Sequence, residues 1–326
     1  MRIAVTGGSG VVGAAVVRHL VEAGHEVSGV ARSPEATAKI AALGAKPVAG
    51  DVLDAESLGK LVAGAERVFH IAGVNEMCSM DPGHMDRVNI VGTSNVRDAC
   101  RAEGVNRLIH TSSAVAIGEE QGTVGSEISP HRGSYLSRYE RSKHVSERLV
   151  LDQAAGLEVV CVNPSSVQGP GRASGTGKLI LDVMRGKLPV LVETTVSFVD
   201  IEDCARGHLL AADRGQPGER YLLSGASLSI REAVALLARI GGLSIEPRFL
   251  PGSMISLIAG GVELGARVVR RKPPACREMV RVLRHGHQYD GTRAIRDLGL
   301  SYTPLQDTIT RTIGWFRAEG LLQPQR

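Results

Sequence analysis

The sequence predicts an α/β protein built on a doubly wound parallel sheet, with a smaller C-terminal lobe interleaved with it. Three observations carry this. Short β-branched runs alternate with helix-period segments through the first half of the chain, the pattern of successive βαβ units. A glycine-rich turn, TGGSGVVG, joins the first such strand to the first helix. After about Gly169 the alternation loosens, and glycines and prolines multiply in GPGRASGTGK.

The elements follow in order. RIAVT reads as a strand and VVGAAVVRHLVEA as a helix; HEVSGVA is the second strand. SPEATAKIAALG is a helix opened by Ser33, with Pro34 at its first position. KPVAG, the helix DAESLGKLVAG and the strand ERVFHIAG come next. MDRVNIVGTSNVRDACRAEG reads as one long helix, VNRLIHTSS as a strand, YLSRYERSKHVSERLVLDQAAG as a helix and LEVVCVNP as a strand. VSFVDI, the helix DCARGHLLAADRG and a strand YLLSG returning to the sheet lead into SIREAVALLARIGG, a helix of the smaller lobe. Residues 1–168, with returns near 195–224, are assigned to a Rossmann-type nucleotide-binding domain, and 169–326 mainly to a substrate-binding lobe. Such a sheet binds its ligand beyond the carboxyl ends of its strands, where Thr6, Ala31, Asp51, Ala72 and Ser113 fall.

Composition narrows the class. Of 326 residues, 43% are hydrophobic and 22% charged, as in ordinary globular proteins. The net charge of +4 comes from 38 basic and 34 acidic residues, well mixed along the chain, and no basic run carries interleaved aromatics. Nucleic acid is therefore not an expected partner. Arg270, Arg271 and Lys272 read as solvated surface. Five scattered cysteines, at 78, 100, 161, 204 and 276, form no C-x-x-C pair. No disulfide framework and no metal are expected, and the simplest setting is the reducing cytoplasm. The apolar start breaks at glycines and runs into fold motifs, so no secretory signal is expected. Met254 to Val269 is apolar but carries Glu263 and Arg267. It falls short of the roughly 20 apolar residues of a membrane span and reads as a buried or lid helix, not a transmembrane segment.

The glycine turn fits two templates. From Gly8 it is G-x-G-x-x-G, with Gly8, Gly10 and Gly13; from Thr6 it is T-G-x-x-G-x-x-G, with Gly7, Gly10 and Gly13. Either way, glycines let a dinucleotide pyrophosphate approach backbone N–H groups at a helix N-terminus. Val11 and Val12 open that helix. Folds that prefer NAD place an acid about 20 residues on, against the ribose 2′-hydroxyl. Here the second strand ends in Ala31 and Arg32, with no acid at the tip. A guanidinium suits a 2′-phosphate, so NADP(H) is favoured, with NAD(H) as the alternative. Asp51, with Val52 beside it, is placed to accept from an adenine amino group, while Asp54 suits the cap of the next helix.

Tyr139 and Lys143 stand four residues apart in YERSK and share one helix face. A phenol with a pKa near 10 transfers protons poorly at neutral pH, and a nearby cation favours its ionised form. Ser112 and Ser113 end the fifth strand, where a hydroxyl can reach a substrate oxygen beside the tyrosine.

TGGSGVVG, HTSSAVAIG, YERSK and NPSSVQGPG, in this order, resemble the extended short-chain dehydrogenase/reductases of the NAD-dependent epimerase/dehydratase superfamily. The likeness spans nearly the whole chain, including FVDIEDCARG and the C-terminal DGTRAIRDLGLSYTPLQDTITRTIGWFRAEG. It is closest to the dihydroflavonol 4-reductase and 3β-hydroxysteroid dehydrogenase-like group. The resemblance selects the register beginning at Thr6. It implies Tyr139 as general acid/base and Lys143 as the group that lowers its pKa and holds the nicotinamide ribose. It implies Ser113, with Ser112 as alternative, orienting the reacting oxygen. Asn89 would support the lysine and a proton-relay water. Ala72 and Gly73 would pass close to the cofactor, with Pro164, Ser165 and Val167 on the nicotinamide side and His70 structural. A homodimer through the helices of Asn89 and Tyr139 is also implied.

Departures narrow the chemistry. Ala114 and Val115 stand where sugar-nucleotide dehydratases carry an acidic pair, and Asn163 stands where many sugar-nucleotide enzymes carry arginine. The expected function is hydride transfer between NADP(H) and the carbonyl or hydroxyl of a small hydrophobic molecule. The alternatives are a nucleotide-sugar 4-epimerase with tightly bound NAD and a catalytically silent nucleotide-sensing or scaffold protein. The expected pocket walls are NEMCSMDPGHM, with Met77, Cys78, Met80 and Met85 as a soft apolar surface, together with EEQGTVGSEISPHRG, RASGTGK and the Met254–Val269 segment.

Overall fold

The computed structural model describes residues 1–81, 83–154, 156–244, 246–250, 266, 271, 273 and 276–322. The central sheet uses β1 (Arg2–Thr6), β2 (Glu26–Ala31), β3 (Lys46–Ala49), β4 (Arg67–His70) and β5 (Arg107–Thr111). β6 (Val124–Gly125) lies outside it, and β7 (Glu158–Pro164) rejoins it. Beyond these come β8 (Ser166–Gln168), β9 (Val190–Val192), β10 (Thr195–Asp200), β11 (Arg220–Leu223), β12 (Ala226–Ser229), β13 (Arg248–Leu250) and β14 (Gln288–Tyr289). The seven strands of the sheet run β11-β7-β5-β4-β1-β2-β3, and every neighbouring pair is parallel. The order reverses direction at β1 and β4, and a doubly wound sheet opens its ligand crevice at that point.

Both faces of the sheet are buried, as a parallel sheet requires. Ile3 and Val5 join Val16, Leu20, Phe69, Ile109 and Leu223 on one side. Ala4, Val68 and Leu108 join Leu58, Leu61, Val96 and Val150 on the other. The covering helices begin where local chemistry satisfies their first N–H groups. These are α1 (Val11–Glu22), α2 (Pro34–Ala42), α3 (Ala55–Val62), α4 (Gly92–Ala102) and α5 (Arg138–Asp152). Ser33 accepts from Ala36 N–H, Asp54 from Glu56 and Ser57 N–H, and Ser137 from Glu140 N–H. The long helix expected around Asn89 is interrupted: a π-helical turn, Arg87–Val91, precedes α4.

In the second half, α6 (Thr176–Met184), α7 (Ile201–Arg214), α8 (Ile230–Gly241), α9 (Arg277–His285) and α10 (Leu305–Ala318) follow. Ser229 and Glu232 cap α8 reciprocally. α7 packs on the central sheet through Ile201, Cys204, Ala205, Ala211 and Ala212. Ile180, Met184, Val234, Leu237, Ile313 and Phe316 form the separate core of the C-terminal lobe. β11 returns to the central sheet beside β7, whereas β10 pairs with β8 and β12 in a small sheet of its own.

The cysteine expectation needs correction. Cys78 and Cys276, 198 positions apart with Cα atoms 5.7 Å from each other, form a disulfide. No local spacing could reveal it, because tertiary folding alone brings the loop after β4 against the start of α9. Cys100, Cys161 and Cys204 are free and buried. Apart from Ala266, the Met254–Val269 segment lies outside the described residues. Among the described residues no helix is long and apolar enough to cross a membrane.

The turn after β1 fixes where α1 starts. Gly7 has φ +76°, and a Cβ there would lie 2.6 Å from Ala72 N. A Cβ on Gly13 would lie 2.0 Å from the Gly7 carbonyl oxygen, and one on Gly10 3.3 Å from the same atom. Gly8 meets only side chains, the nearest at 3.2 Å. Close backbone approach therefore falls on Gly7, Gly10 and Gly13, the register beginning at Thr6. Gly13→Ala is expected to lower stability by about 1–3 kcal/mol and to weaken dinucleotide binding at least tenfold, read by thermal unfolding and by titration with NADPH.

Candidate active site

A cleft of about 1010 Å³ runs across the carboxyl ends of the strands. One end is walled by Gly7, Ser9, Gly10, Val11, Val12 and Gly13 from the glycine turn, and by Arg32, Asp51 and Val52 from the next two strand ends. α1 begins here without a side-chain cap: Gly10 is the N-cap and offers none. Its first N–H groups, carrying the positive end of the helix dipole, are thus available to an anion. Arg32 is 64% exposed, with Nη1 3.7 Å from Asp51 Oδ2. Ser33 and Lys39 also line this end. Asp51 accepts from Leu53 N–H through Oδ1, and Asp54 caps the helix.

The middle of the cleft gathers Ala72, Gly73, Ser112, Ser113, Tyr139 and Lys143. Pro164, Ser165 and Val167 face them from the end of β7 and from β8. Lys143 is buried and donates from Nζ to the Thr111 carbonyl at 2.7 Å. Burial draws its pKa down to about 8, against the pull of buried Glu147 one helical turn away. The ammonium therefore stays mostly charged at neutral pH. Burial pushes the Tyr139 phenol up, while the Ser113 hydroxyl, as a hydrogen-bond donor, and the Arg172 cation pull it down. Arg172, which also lines the cleft, thus supplies a cation for Tyr139 that sequence reading did not find.

A second layer fixes these groups. Asn163 Nδ2 donates to the Ser113 carbonyl at 3.1 Å and to Glu147 Oε2 at 2.5 Å. Glu147 also pairs with Arg220 at 3.0 Å. Asn89 accepts from Val74 N–H at 2.7 Å and donates to Val74 C=O at 2.8 Å and Ser142 Oγ at 2.9 Å. Both ends of its amide are committed to holding the loop after β4 that carries Gly73. Thr6 is absent from the cleft wall. Its hydroxyl meets His70 Nδ1 at 2.7 Å and accepts from Ala72 N–H at 3.3 Å. It braces the end of β1 against the loop that carries Ala72. His70 also meets Thr93 Oγ1 at 2.9 Å, and burial lowers its pKa to about 3, so it is neutral.

The profile of the NAD dependent epimerase/dehydratase family matches residues 3–224. The chain belongs to this family. Sterol demethylase protein B of Methylococcus capsulatus is 33% identical over 333 residues, covering 99% of this chain and 100% of that protein. A putative dihydroflavonol 4-reductase of Synechocystis is 31% identical, covering 98% of this chain and 96% of the relative. The crystal structure of gox2253 superposes with a TM-score of 0.86 at 31% identity, covering 98% of this chain and 99% of that one. The chain is an enzyme of the extended short-chain dehydrogenase/reductase type.

Within this family frame the far end of the cleft departs from the expected walls. It is lined by Ile180, Val183, Phe198, Leu228, Val234 and Leu237, with Leu283, Leu305 and Ile309 beyond. Of the expected methionine wall only Met77 reaches the cleft. Met80 is 53% exposed, Met85 is core, and Cys78 is held in the disulfide. EEQGTVGSEISPHRG contributes no lining residue, whereas RASGTGK contributes Arg172, Gly175 and Thr176. The apolar wall escaped sequence reading because its residues come from six separate elements and each has an ordinary helical or strand period. Arg172 Nε is buried with no hydrogen-bond partner. Because its charge favours the Tyr139 phenolate, Arg172→Met should move Tyr139 ionisation to higher pH. Ultraviolet difference titration against Tyr139→Phe reads this directly, and an unmoved titration would remove Arg172 from the electrostatics of the site.

Proposed function

We propose that the protein is an NADP(H)-dependent reductase/dehydrogenase interconverting a ketone and a secondary alcohol on a bulky apolar molecule. One observation carries this reading: Tyr139, Ser113 and Lys143 line the cleft where its dinucleotide-shaped end meets its apolar end. The glycine cradle supports a pyrophosphate, since Cβ atoms at Gly7 and Gly13 would collide with backbone. The uncapped start of α1 supports the same group. Arg32 and Lys39, with no acid at the tip of β2 itself, favour a 2′-phosphate over a free ribose hydroxyl, against the acids Glu35 and Asp51 that line the same end. Bound there, NADP(H) supplies or accepts the hydride.

The chain's own groups handle the proton and the oxygen. In reduction, Tyr139 gives its phenolic proton to the carbonyl oxygen as the carbon takes up hydride. In oxidation its phenolate takes the proton back. Ser113 donates to the same oxygen and orients it. Lys143, cationic beside the tyrosine and held by the Thr111 carbonyl, holds the nicotinamide ribose and stabilises the charge left on the phenolate. Asn89 acts by fixing the Gly73–Val74 backbone.

The apolar far wall supports the substrate class and favours the reductase over the epimerase reading. Relatives named for sterol demethylation and dihydroflavonol reduction act, by those names, on fused-ring molecules, and this accords with the same wall.

Tyr139→Phe should lose about 10²–10⁴-fold in turnover while binding NADPH within a few-fold of the parent. Steady-state assays against a panel of polycyclic ketones and alcohols, paired with NADPH titration, measure both. Unchanged turnover would exclude the phenol as acid/base. Arg32→Asp should cut the preference for NADPH over NADH at least tenfold in kcat/KM, and an unaltered ratio would remove Arg32 from cofactor selection.

A further inference from the structure

We propose that Glu119, His285 and His287 form a binding site for one divalent transition-metal ion at the seam between the C-terminal lobe and the nucleotide-binding core. The site does not depend on the reductase reading.

The three residues reach one point from distant parts of the chain. Glu119 follows the 3₁₀ turn Ala114–Ile117, directly after Ser113. His285 is the last residue of α9, and His287 immediately precedes β14. Gly286, between them, has φ +67°. That left-handed turn is open to glycine and reverses the chain so that both imidazoles meet the same carboxylate. β14 then pairs with β6 on the core side. One ligand atom from each residue lies within 4.8 Å of the other two. His287 Nδ1 is 2.7 Å and His285 Nε2 3.5 Å from Glu119 Oε1. All three side chains are largely buried, at 1%, 5% and 15% exposure for Glu119, His285 and His287.

The polar accounting favours a cation over a plain hydrogen-bonded cluster. Glu119 Oε2, His285 Nε2 and His287 Nε2 are buried and have no hydrogen-bond partner. Each such atom costs about 1–3 kcal/mol when left unanswered. A proton shared between Glu119 and one histidine answers one contact and leaves the rest. A divalent ion takes one lone pair from each side chain at once, answering His285 Nε2 and the Glu119 carboxylate, with His287 joining through Nδ1. Two imidazoles and one carboxylate are a donor set for zinc and its neighbours, with a further coordination position left open.

The surrounding charges are compatible. Arg132 donates to the Glu119 backbone carbonyl at 2.9 Å, but its guanidinium is paired with buried Glu140 and does not occupy the Glu119 carboxylate. Tyr289 Oη lies 3.0 Å from His287 Nδ1 and offers a further oxygen. His287 and Tyr289 also line the active-site cleft. The ion would therefore fasten α9 and β14, part of the apolar wall, to the loop that leaves Ser113.

The test uses the full chain, stripped of metal by chelation and titrated with Co²⁺. The expected result is one Co²⁺ per chain with visible d–d absorption, displaced by Zn²⁺, and a higher Tm with metal. His285→Gln and His287→Asn, checked for folding by circular dichroism, should each weaken Co²⁺ at least tenfold and abolish the Tm gain. Should those variants fail to fold, crystals of the parent soaked in Co²⁺ replace them, with an anomalous peak expected between the three side chains. Absence of d–d bands in the parent, bands that survive in both variants, or an anomalous peak elsewhere would each overturn the assignment.

Discussion

The contact on which the active-site architecture rests is one of backbone on backbone. The Gly7 carbonyl lies so close to α1 that any side chain at Gly13 would overlap it, and Gly7 itself lies against Ala72 at the end of β4. Three strand and helix ends are thereby drawn together at the point where the sheet reverses its winding. α1 is seated with its N–H groups exposed to the cleft, and Ala72 and Gly73 are carried along its floor. A fold that allowed one methyl group at Gly13 would have to part α1 from β1. The cradle for a pyrophosphate is thus a consequence of packing before it is a binding site.

The reactive groups are fixed by a second constraint, a buried polar layer behind them. Lys143 is anchored to the end of β5, Glu147 lies one turn along α5, and Asn163 ties Glu147 to the Ser113 backbone. The proline-preceding position, where Asn163 replaces the arginine of many sugar-nucleotide enzymes, therefore has a structural task here. This network couples the serine, the lysine and the helix carrying Tyr139 into one unit. Arg172 lines the same cleft, and its cation opposes the burial that pushes the Tyr139 phenol up.

Sequence legibility followed the range of the interactions. The sheet was readable because parallel strands buried on both faces leave continuous β-branched runs, and the caps at Ser33 and Asp54 were readable because they act within four residues. Tyr139 and Lys143 were readable as one helix face. The rest depends on distant approach. Arg172 acquires meaning only when its loop reaches the cleft that Tyr139 also lines. Met85 has the composition of a pocket wall and the placement of a core residue. Thr6 stands at a strand end, yet its hydroxyl turns to His70 and Ala72. The pairing of Cys78 with Cys276 and the meeting of Glu119 with His285 and His287 span more than half of the chain, beyond any local spacing rule.

The central claim is that one cleft aligns a phosphorylated dinucleotide with the Tyr139 phenol. A crystal structure of the complex with NADP⁺ tests it most directly. The account predicts the pyrophosphate on Gly7, Gly10 and Gly13, the 2′-phosphate beside Arg32, and the nicotinamide ring close enough to Tyr139 for a substrate carbon to sit about 3–3.5 Å from the ring. A dinucleotide bound in the opposite direction, or a nicotinamide remote from Tyr139 and Lys143, would contradict it.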